Sequence, residues 1–424
     1  MGRTGLTRYV VGAGGLVLVV ASGAFSQTTL DAPVGEIVAY EVDSGPRDNA
    51  ANVPSVVFHV GVTIPDAVWI RLYFADVHLP AGSFLRVTSA FDGAVQHLDA
   101  ARLAEWSNTS AYFNGSTVFV DLVAGPGTTG NRLGIQHVTA QIGDGGVAGE
   151  FCGTCDGDDR VSSDVAYAGR VMPVGCTATM YNERGCFVCA GHCMGAAIII
   201  EFNVPQSNPD GTLQHPDPEH QYAVIQGSID FVNGGVGNDW SHFICAPNSE
   251  TGLKAIEAQG EFIPISSSLP TEYPVDLEIF GYGVDTEPQN SQTQQLSTGP
   301  LLGTQSGGNP SWFHLADTTG GNSGSSILYK GEIIGIVTHC TFGCPNFGTI
   351  VNIFPFVQAR RLCELSYDFD DDGDVDMIDF MGWQNCYPWS PLPPGCEVFD
   401  LNDNERVDLD DLPPFLTFLE GPQG

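Results

Sequence analysis

The sequence predicts a mainly β protein that is divided into three units. Glycine occurs 52 times and proline 27 times in 424 residues, a composition typical of many short strands joined by turns. Apolar residues make up 42% of the chain and charged residues 15%. Because one hydrophobic core stops growing at about 250 to 300 residues, a chain of this length is expected to form two or three domains. Changes in composition place the boundaries near residues 150 and 365.

The first 26 residues have the pattern of a secretory signal peptide. Arg3 and Arg8 give a basic start, residues 10–21 are apolar, and Ala24 and Ser26 form a small-x-small motif, so cleavage is predicted after Ser26. A single N-terminal anchor is the alternative, although the apolar stretch is shorter than the roughly 20 residues that a spanning helix needs. A secreted or otherwise extracytoplasmic chain can form disulfides, which accounts for twelve cysteines.

Residues 27–150 are predicted to form a β-sandwich. Apolar side chains alternate in residues 70–74 and again in residues 118–122, as expected for strands with one buried face. The glycine-rich stretch 143–149 indicates a linker at the end of this unit. The unit contains no catalytic motif, so a prosegment, a substrate-binding module and a spacer all remain open for it.

Residues 318–325 have the sequence TTGGNSGS, which places Ser323 among glycines. A serine that hydrolyses peptides needs a base, a carboxylate that orients the base, and N–H groups aimed at the developing oxyanion. Glycine lets the backbone turn sharply, so the N–H groups of Gly321 and Ser323 can converge on one point. Ser323 is therefore the candidate nucleophile, with these two N–H groups as the candidate oxyanion hole.

His192 and Asp239 are the candidate partners of Ser323. His192 lies in the run CAGHC after an apolar, strand-like stretch, and Asp239 lies in the run GNDW before an apolar pair. An imidazole takes the serine proton, and a carboxylate fixes the imidazole tautomer. Asp230 is the alternative orienting carboxylate, but it lacks the Asp-Trp context.

These motifs resemble those of the chymotrypsin-like serine proteases. CAGHC is similar to the TAAHC or TAGHC of that family, and GGNSGSS is similar to the GNSGSP of its glutamyl-endopeptidase branch. The order His, Asp, Ser separates this family from subtilisin-like and α/β-hydrolase enzymes. The resemblance covers residues 151–365, about half of the chain. It implies a double β-barrel and a secreted serine endopeptidase that acts through an acyl-enzyme and needs no catalytic cofactor.

The resemblance also implies a role for each matched residue. His192 becomes the general base, Asp239 the carboxylate that orients it, and Ser323 the nucleophile. Cys176 matches the cysteine that bridges to the one after the histidine, which implies a Cys176–Cys193 disulfide. A protein or peptide is the implied substrate.

The implied specificity pocket contains Asp317, Thr338 and His339. Asp317 stands six residues before the nucleophile, where a carboxylate in trypsin pairs with a basic substrate side chain. Thr338 and His339 lie on the strand behind the pocket, but the histidine is two positions from the one that glutamyl endopeptidases use. The trypsin pocket cysteines are missing, and Cys340 and Cys344 are expected to close a local loop instead.

Asn322 is a departure from the chymotrypsin pattern. In chymotrypsin an aspartate at this position receives the new N-terminus on activation, whereas an asparagine carries no charge to pair with an ammonium group. Activation by that salt bridge is therefore not implied. An inactive protease-like binding or adhesion protein of the cell surface is the rival function, and retention of all three triad residues argues against it.

Residues 366–424 contain two twelve-residue acidic loops whose oxygen donors follow the register of an EF-hand calcium loop. The first has glycine at the sharp turn, whereas the second has Glu405 there, which predicts weaker binding. The predicted ligand positions are Asp368, Asp370, Asp372, Asp374, Asp376, Asp379, Asp400, Asn402, Asn404, Arg406, Asp408 and Asp411. Arg406, like Asp374, would contribute its main-chain carbonyl.

The paired loops resemble the dockerin module, a small helical domain that docks onto cohesins. The resemblance implies calcium as a cofactor and a cohesin-like or cell-surface partner, but a calcium-stapled structural hairpin is an equal alternative. Cys386 and Cys396 flank a proline-rich insert and are expected to tie it together.

The net charge of −35 comes from 50 acidic and 15 basic residues. Such a surface is repelled by nucleic acid and by anionic membranes, so neither is an expected partner.

Overall fold

Antiparallel strands are the main regular structure of the described chain, and helices are few and short. The structure is a computed structural model, and the residues it describes are 25–26, 35–143, 153–196, 198–305, 309–341, 343–364, 377–393, 395–396, 399–400 and 404–412. Most of the predicted signal peptide lies outside these residues, as do Asp368, Asp370, Asp372, Asp374, Asp376 and Asn402. Among the described residues, no helix is both long and apolar enough to cross a membrane.

Two four-stranded antiparallel sheets share one core and form the N-terminal unit, after a short strand β1 (Phe25–Ser26). One sheet has the order β2-β9-β4-β7 and the other β3-β8-β5-β6. The elements are β2 (Glu36–Asp43), β3 (Ser55–Thr63), β4 (Ala67–Phe74), β5 (Phe84–Ser89), β6 (Val95–Leu98), α1 (Ala100–Glu105), β7 (Phe113–Asn114), β8 (Thr117–Ala124) and β9 (Gly134–Ile142). In β5, Leu85 and Val87 point into the core while Arg86 between them is partly exposed, which is the expected period of two.

Seven strands form a third antiparallel sheet in the order β15-β14-β11-β12-β13-β17-β16. An isolated bridge between Val224 and Cys245 joins its β15 end to β17, so the sheet curls into a barrel. The strands from here are β10 (Val161–Ser162), β11 (Ala168–Met172), β12 (Cys176–Met180), β13 (Phe187–Cys189), β14 (Ile199–Glu201), β15 (Gln221–Ala223), β16 (Asp230–Asn233) and β17 (Asp239–Phe243). Short 3₁₀ helices cover Gly191–Cys193, Pro218–His220, Gln226–Ser228 and Pro288–Asn290.

The fourth sheet closes on itself into a second barrel. Its order is β22-β21-β18-β19-β20-β23, and β22 also pairs with β23. The strands are β18 (Val275–Gly281), β19 (Gln295–Gln305), β20 (Ser311–His314), β21 (Ser326–Tyr329), β22 (Glu332–Thr341) and β23 (Gly343–Ile350). On the outside of this barrel β10 pairs with β19, and β1 adds to β22 with Phe25 opposite Cys340. The helices that remain are α2 (Ala255–Gln259), α3 (Phe354–Glu364) and α4 (Met377–Cys386).

The N-terminal unit packs directly on the first barrel. Met172, Ile199, Leu213 and Ala223 of the barrel belong to the same buried cluster as the core of the N-terminal sheets. Main-chain groups of Tyr112 exchange two hydrogen bonds of 2.9 Å each with the side chain of a barrel glutamine, Gln221. The two units therefore share a continuous interior.

Four disulfides link the described residues. They join Cys155 to Cys344, Cys176 to Cys193, Cys186 to Cys363 and Cys386 to Cys396. The expected local loop between Cys340 and Cys344 is wrong, because Cys344 reaches a cysteine 189 positions earlier and Cys340 forms a separate disulfide. The pairing follows from packing, because segment 153–160 lies beside β23, which carries Cys344. Disulfides of this number fit an oxidising, extracytoplasmic compartment.

A small cluster holds the described part of the C-terminal region together. Trp383 on α4 packs with Phe399 and Val407, and the Cys386–Cys396 disulfide closes the insert between them.

Candidate active site

His192 is held on a tight turn that follows β13. The 3₁₀ turn Gly191–Cys193 carries it, and the disulfide from Cys193 to Cys176 on β12 fixes the far side of the turn. A Cβ at Gly191 would lie 2.1 Å from the Val232 carbonyl oxygen, so only glycine allows this close approach of two backbones. The local sequence therefore fixes the backbone position from which the His192 side chain extends.

Asp239 binds both the ring and the main chain of His192. Asp239 is fully buried at the start of β17, and its Oδ2 lies 2.5 Å from His192 Nδ1. Its Oδ1 accepts the main-chain N–H of His192 at 3.0 Å. Two contacts from one carboxylate fix the ring orientation and assign the proton on Nδ1, which leaves Nε2 free to accept.

Ser323 comes from the second barrel and meets His192 from the opposite side. Ser323 Oγ lies 2.8 Å from His192 Nε2, so the three side chains form one continuous line of hydrogen bonds. Ser323 is buried, and the His192 side chain is only 6% exposed. The structure thus brings together three residues that are separated by up to 131 positions.

The turn before Ser323 is held through the carbonyl groups of Gly321 and Ser323. The carbonyl of Gly321 accepts from Thr177 Oγ1 at 2.9 Å, and that of Ser323 accepts from Thr177 N–H at 2.9 Å. Gly321 has a φ of +100°, and a Cβ there would lie 2.4 Å from the Tyr282 carbonyl oxygen. In the described part of the chain, the N–H groups of Gly321 and Ser323 donate to no partner. They are available to bind an oxyanion.

Thr349 is a site residue that the sequence did not reveal. Its Oγ1 donates to the Asp239 carbonyl at 2.8 Å and lies 3.1 Å from the Asp239 N–H. Thr349 lies on β23 of the second barrel, whereas Asp239 belongs to the first, so one threonine joins the two barrels at the main chain of Asp239. No local motif marks this residue, because the contact spans 110 positions.

Asp230, the alternative orienting carboxylate, lies elsewhere. It is opposite His242 across the β16–β17 pair, and its Oδ2 is 4.0 Å from His242 Nε2. Burial raises the pKa of Asp230. The carboxylate that contacts His192 is that of Asp239.

His339 and Thr338 lie on β22 beside the triad. The His339 ring centre is 6.0 Å from that of His192, and its Nδ1 is 4.0 Å from Asp239 Oδ2. Burial lowers the pKa of His339 to about 4, so it is neutral at pH 7. Thr338 is fully buried. β1 pairs with the same strand, with Ser26 opposite His339.

Asp317 is turned towards the segment 153–160. Its Oδ1 accepts the Cys155 N–H at 2.6 Å and its Oδ2 accepts the Asp159 N–H at 3.0 Å. Asn346 closes the same corner by donating to the carbonyls of Gly153 at 2.6 Å and Ala316 at 2.9 Å. Both Asp317 oxygens are therefore in use, which favours a structural role over pairing with a basic substrate side chain.

The second acidic loop of the C-terminal region is partly described. The Asp400 carboxylate accepts the N–H groups of Asn404 at 3.0 Å and Glu405 at 2.8 Å, and Glu405 takes a left-handed φ of +62° at the glycine position. Asp411 is buried and accepts the Asp408 N–H at 2.7 Å. Among the described residues of this loop, no three acidic side chains bring their oxygens within 4.8 Å of one another. The loop register fits a calcium loop, but the described carboxylates alone do not form a cage.

No protein-family model matches the chain, and no curated protein matches it. Similar solved structures include a Glu endopeptidase in complex with MPD, with 16% identity, 50% of this chain and 99% of that chain covered, and a TM-score of 0.38. A thermostable serine protease AL20 from an extremophilic microorganism has 15% identity, coverages of 44% and 91%, and a TM-score of 0.35. Human heparin binding protein has 12% identity, coverages of 46% and 91%, and a TM-score of 0.34. The topology of the two barrel sheets is itself consistent with a chymotrypsin-like fold.

Proposed function

We propose that this protein is a serine endopeptidase that cleaves peptide bonds through an acyl-enzyme on Ser323. The observation that carries the proposal is the unbroken line from Asp239 through His192 to Ser323, with distances of 2.5 and 2.8 Å. Structural histidines and serines rarely meet in this order next to two N–H groups without partners.

The geometry supports each step of acyl transfer. His192 Nε2 takes the proton as Ser323 Oγ attacks the carbonyl carbon of the peptide bond, and Asp239 stabilises the imidazolium that forms. The N–H groups of Gly321 and Ser323 bind the oxyanion. His192 then gives its proton to the leaving amine, the acyl-enzyme forms, and water repeats the sequence to release the acid.

The rival function is an inactive protease-like binding protein. Such a protein needs neither an imidazole nitrogen in hydrogen-bond contact with the serine hydroxyl nor N–H groups without a partner at the serine. Both features support the enzyme, because a turn that is kept only for packing would satisfy its buried N–H groups internally.

A peptide library analysed by mass spectrometry tests the enzyme assignment. The purified chain is expected to cleave library peptides, and Ser323→Ala is expected to abolish cleavage while it keeps the fold. Thr349→Ala is a second variant for comparison, because it removes the hydrogen bonds between Thr349 and the main chain of Asp239 but no reacting atom. Equal cleavage by parent and Ser323→Ala, or none by a correctly folded parent, rejects the assignment.

We also propose that the C-terminal region is a dockerin-like calcium module. The left-handed Glu405, the buried Val407 at position 8 and the buried Asp411 at position 12 support that register. Calcium titration by calorimetry should show binding that Asp400→Ala weakens and that Asp410→Ala, an exposed position outside the ligand set, leaves unchanged. No binding by the parent chain would contradict the module. Its partner is proposed to be cohesin-like or a cell-surface protein.

Export is the final part of the proposal. The signal-like start and the disulfides support a secreted protein, and the N-terminal sheets are proposed to be a β-sandwich. N-terminal sequencing of the exported protein, expected to begin at Gln27, tests the cleavage site.

A further inference from the structure

Arg160 is a buried cation beside the turn that precedes Ser323. Its side chain is fully buried at the end of segment 153–160, just before β10. Nη1 donates to Thr319 Oγ1 at 2.9 Å and to Asn322 Oδ1 at 3.3 Å, and Nη2 donates to the Val284 carbonyl at 2.8 Å. One guanidinium therefore contacts both ends of the turn 319–322.

The turn closes on the same two side chains that Arg160 binds. Asn322 Oδ1 accepts the Thr319 N–H at 3.0 Å, and the Asn322 N–H donates back to the Thr319 carbonyl at 3.0 Å. Val284 N–H donates to the Gly320 carbonyl at 2.8 Å. Because Gly321 and Ser323 adjoin these residues, any rotation of the turn moves both oxyanion-binding N–H groups.

The segment that carries Arg160 is itself anchored at several points. Asp317 accepts two of its N–H groups, and the Cys155–Cys344 disulfide ties it to β23. Asp158 balances the charge, with one carboxylate oxygen 2.6 Å from Arg160 Nη2. The guanidinium is thus fixed before any substrate arrives, and its planar fork suits several acceptors at once.

We propose that Arg160 is a positioning residue that presets the oxyanion-binding turn through Thr319 and Asn322. Its buried, permanent charge performs this task within an uncut chain, so the turn needs no newly formed chain terminus beside Asn322. This inference rests on the proposed protease function and names the residue that keeps its oxyanion hole in shape.

The test compares Arg160→Gln and Arg160→Lys with Arg71→Gln, kcat and KM being measured on one library-derived peptide. Arg71 is also a fully buried arginine, but it bonds Ser110, Tyr112 and Thr109 within the N-terminal unit. Arg160→Gln is expected to lower kcat about 100-fold, comparable to loss of one oxyanion donor, with KM changed less than about threefold. Added guanidinium ion at millimolar concentration should restore part of kcat in Arg160→Gln and none in Arg71→Gln.

Arg160→Lys keeps charge and volume, so it serves if the glutamine variant does not fold. A single ammonium cannot bind Thr319, Asn322 and Val284 together, and kcat should fall about tenfold. A folded Arg160 variant with the parent's kcat, or a loss that Arg71→Gln reproduces, overturns the inference and leaves the protease assignment intact. Absence of turnover by the parent overturns both.

Discussion

The Asp317 carboxylate is a buried group that accepts two main-chain N–H groups of the segment before β10. Burial raises its pKa to about 6, while the N–H groups of Cys155 and Asp159 act in the opposite direction. A carboxylate that accepts two main-chain donors orders the segment that supplies them. That segment in turn carries Arg160 to the turn beside Ser323.

Replacement of Asp317 by Asn should therefore lower stability rather than change specificity. The amide keeps only one acceptor oxygen, so one N–H loses its partner, and the cost is about 1 to 3 kcal/mol. The melting temperature should fall by several degrees, while the library preference for Arg or Lys relative to other residues stays constant within about twofold. Asp159→Asn is the exposed control. A selective loss of cleavage after Arg and Lys would show instead that Asp317 binds substrate.

Residues of the site differ in how far the sequence reveals them. His192 and Ser323 stand in short motifs that can be recognised in the sequence. Each motif needs its glycine, because Gly191 and Gly321 allow backbone approaches that a side chain would block. Arg160 and Thr349 act across 162 and 110 positions, and nothing local marks them. Their roles depend on how two barrels meet, which a single sequence does not specify.

At the level of elements, β4 is buried on both faces. The alternation in residues 70–74 predicts one buried face, yet Trp69 and Arg71 are fully buried as well. The reason is the contact with the first barrel, where the His215 ring lies 5.1 Å from Trp69 and stacks on Tyr112 at 4.3 Å. Because Arg71 is polar, the alternation of apolar residues along β4 does not reveal that this face is also buried.

A buried charge network continues this interface into the barrel. Glu201 Oε1 lies 2.7 Å from His215 Nδ1, and its Oε2 is 2.8 Å from Arg170 Nη2. Burial raises the pKa of Glu201, but His215 and Arg170 beside it outweigh burial and hold the pKa below its usual range. The network is fully enclosed, so separation of the units would expose ion pairs and apolar surface together.

Tyr112→Ala should destabilise the whole protein, not the N-terminal unit alone. Loss of a fully packed aromatic ring costs about 3 to 5 kcal/mol, and the Arg71–Tyr112 hydrogen bond is lost with it. Chemical unfolding should show one transition, in which the change in intrinsic fluorescence coincides with the loss of peptidase activity. Phe119→Ala, at a 40% exposed ring, is the control and should cost far less. An activity that survives after the N-terminal sheets unfold would disprove the shared interior.

Across the whole molecule, buried neutral histidines set the acid limit of stability. Burial lowers the pKa of His242, His314 and His339 to about 4 each. In the unfolded chain the pKa of each histidine is about 6.5, so as the pH falls below that value the unfolded state binds more protons than the folded state. Asp317 acts in the opposite sense, because its raised pKa favours proton uptake by the folded state.

Thermal stability should fall as the pH drops from about 6.5 to 5, because the three strongly shifted histidines outweigh the carboxyls whose pKa burial raises, which are Asp317, Asp230 and Glu105. His314→Gln should flatten this dependence, since glutamine does not titrate, even if it lowers stability at pH 7. Melting curves by differential scanning fluorimetry at half-unit pH intervals measure the effect. A melting temperature that is constant or rises across this window would contradict it.

The mainly β architecture follows from composition and turn frequency, and the order of the three motifs indicates where two barrels must meet. The Cys155–Cys344 disulfide and the fusion of the first two units do not follow, because both depend on packing between segments that are far apart in sequence. The acidic loops are marked by their donor register alone, and Glu405 takes the left-handed turn even without glycine.

Labelling with a serine-reactive fluorophosphonate tests the central claim most directly. Full-length protein, and protein that begins at Gln27, are incubated with the probe, and the modified peptide is mapped by mass spectrometry. The label is predicted on Ser323 and on no other serine, and His192→Ala should remove it, since Ser323 Oγ then has no base. Folded protein that remains unlabelled, or labelling of Ser323 that persists in His192→Ala at the parent rate, would contradict the account.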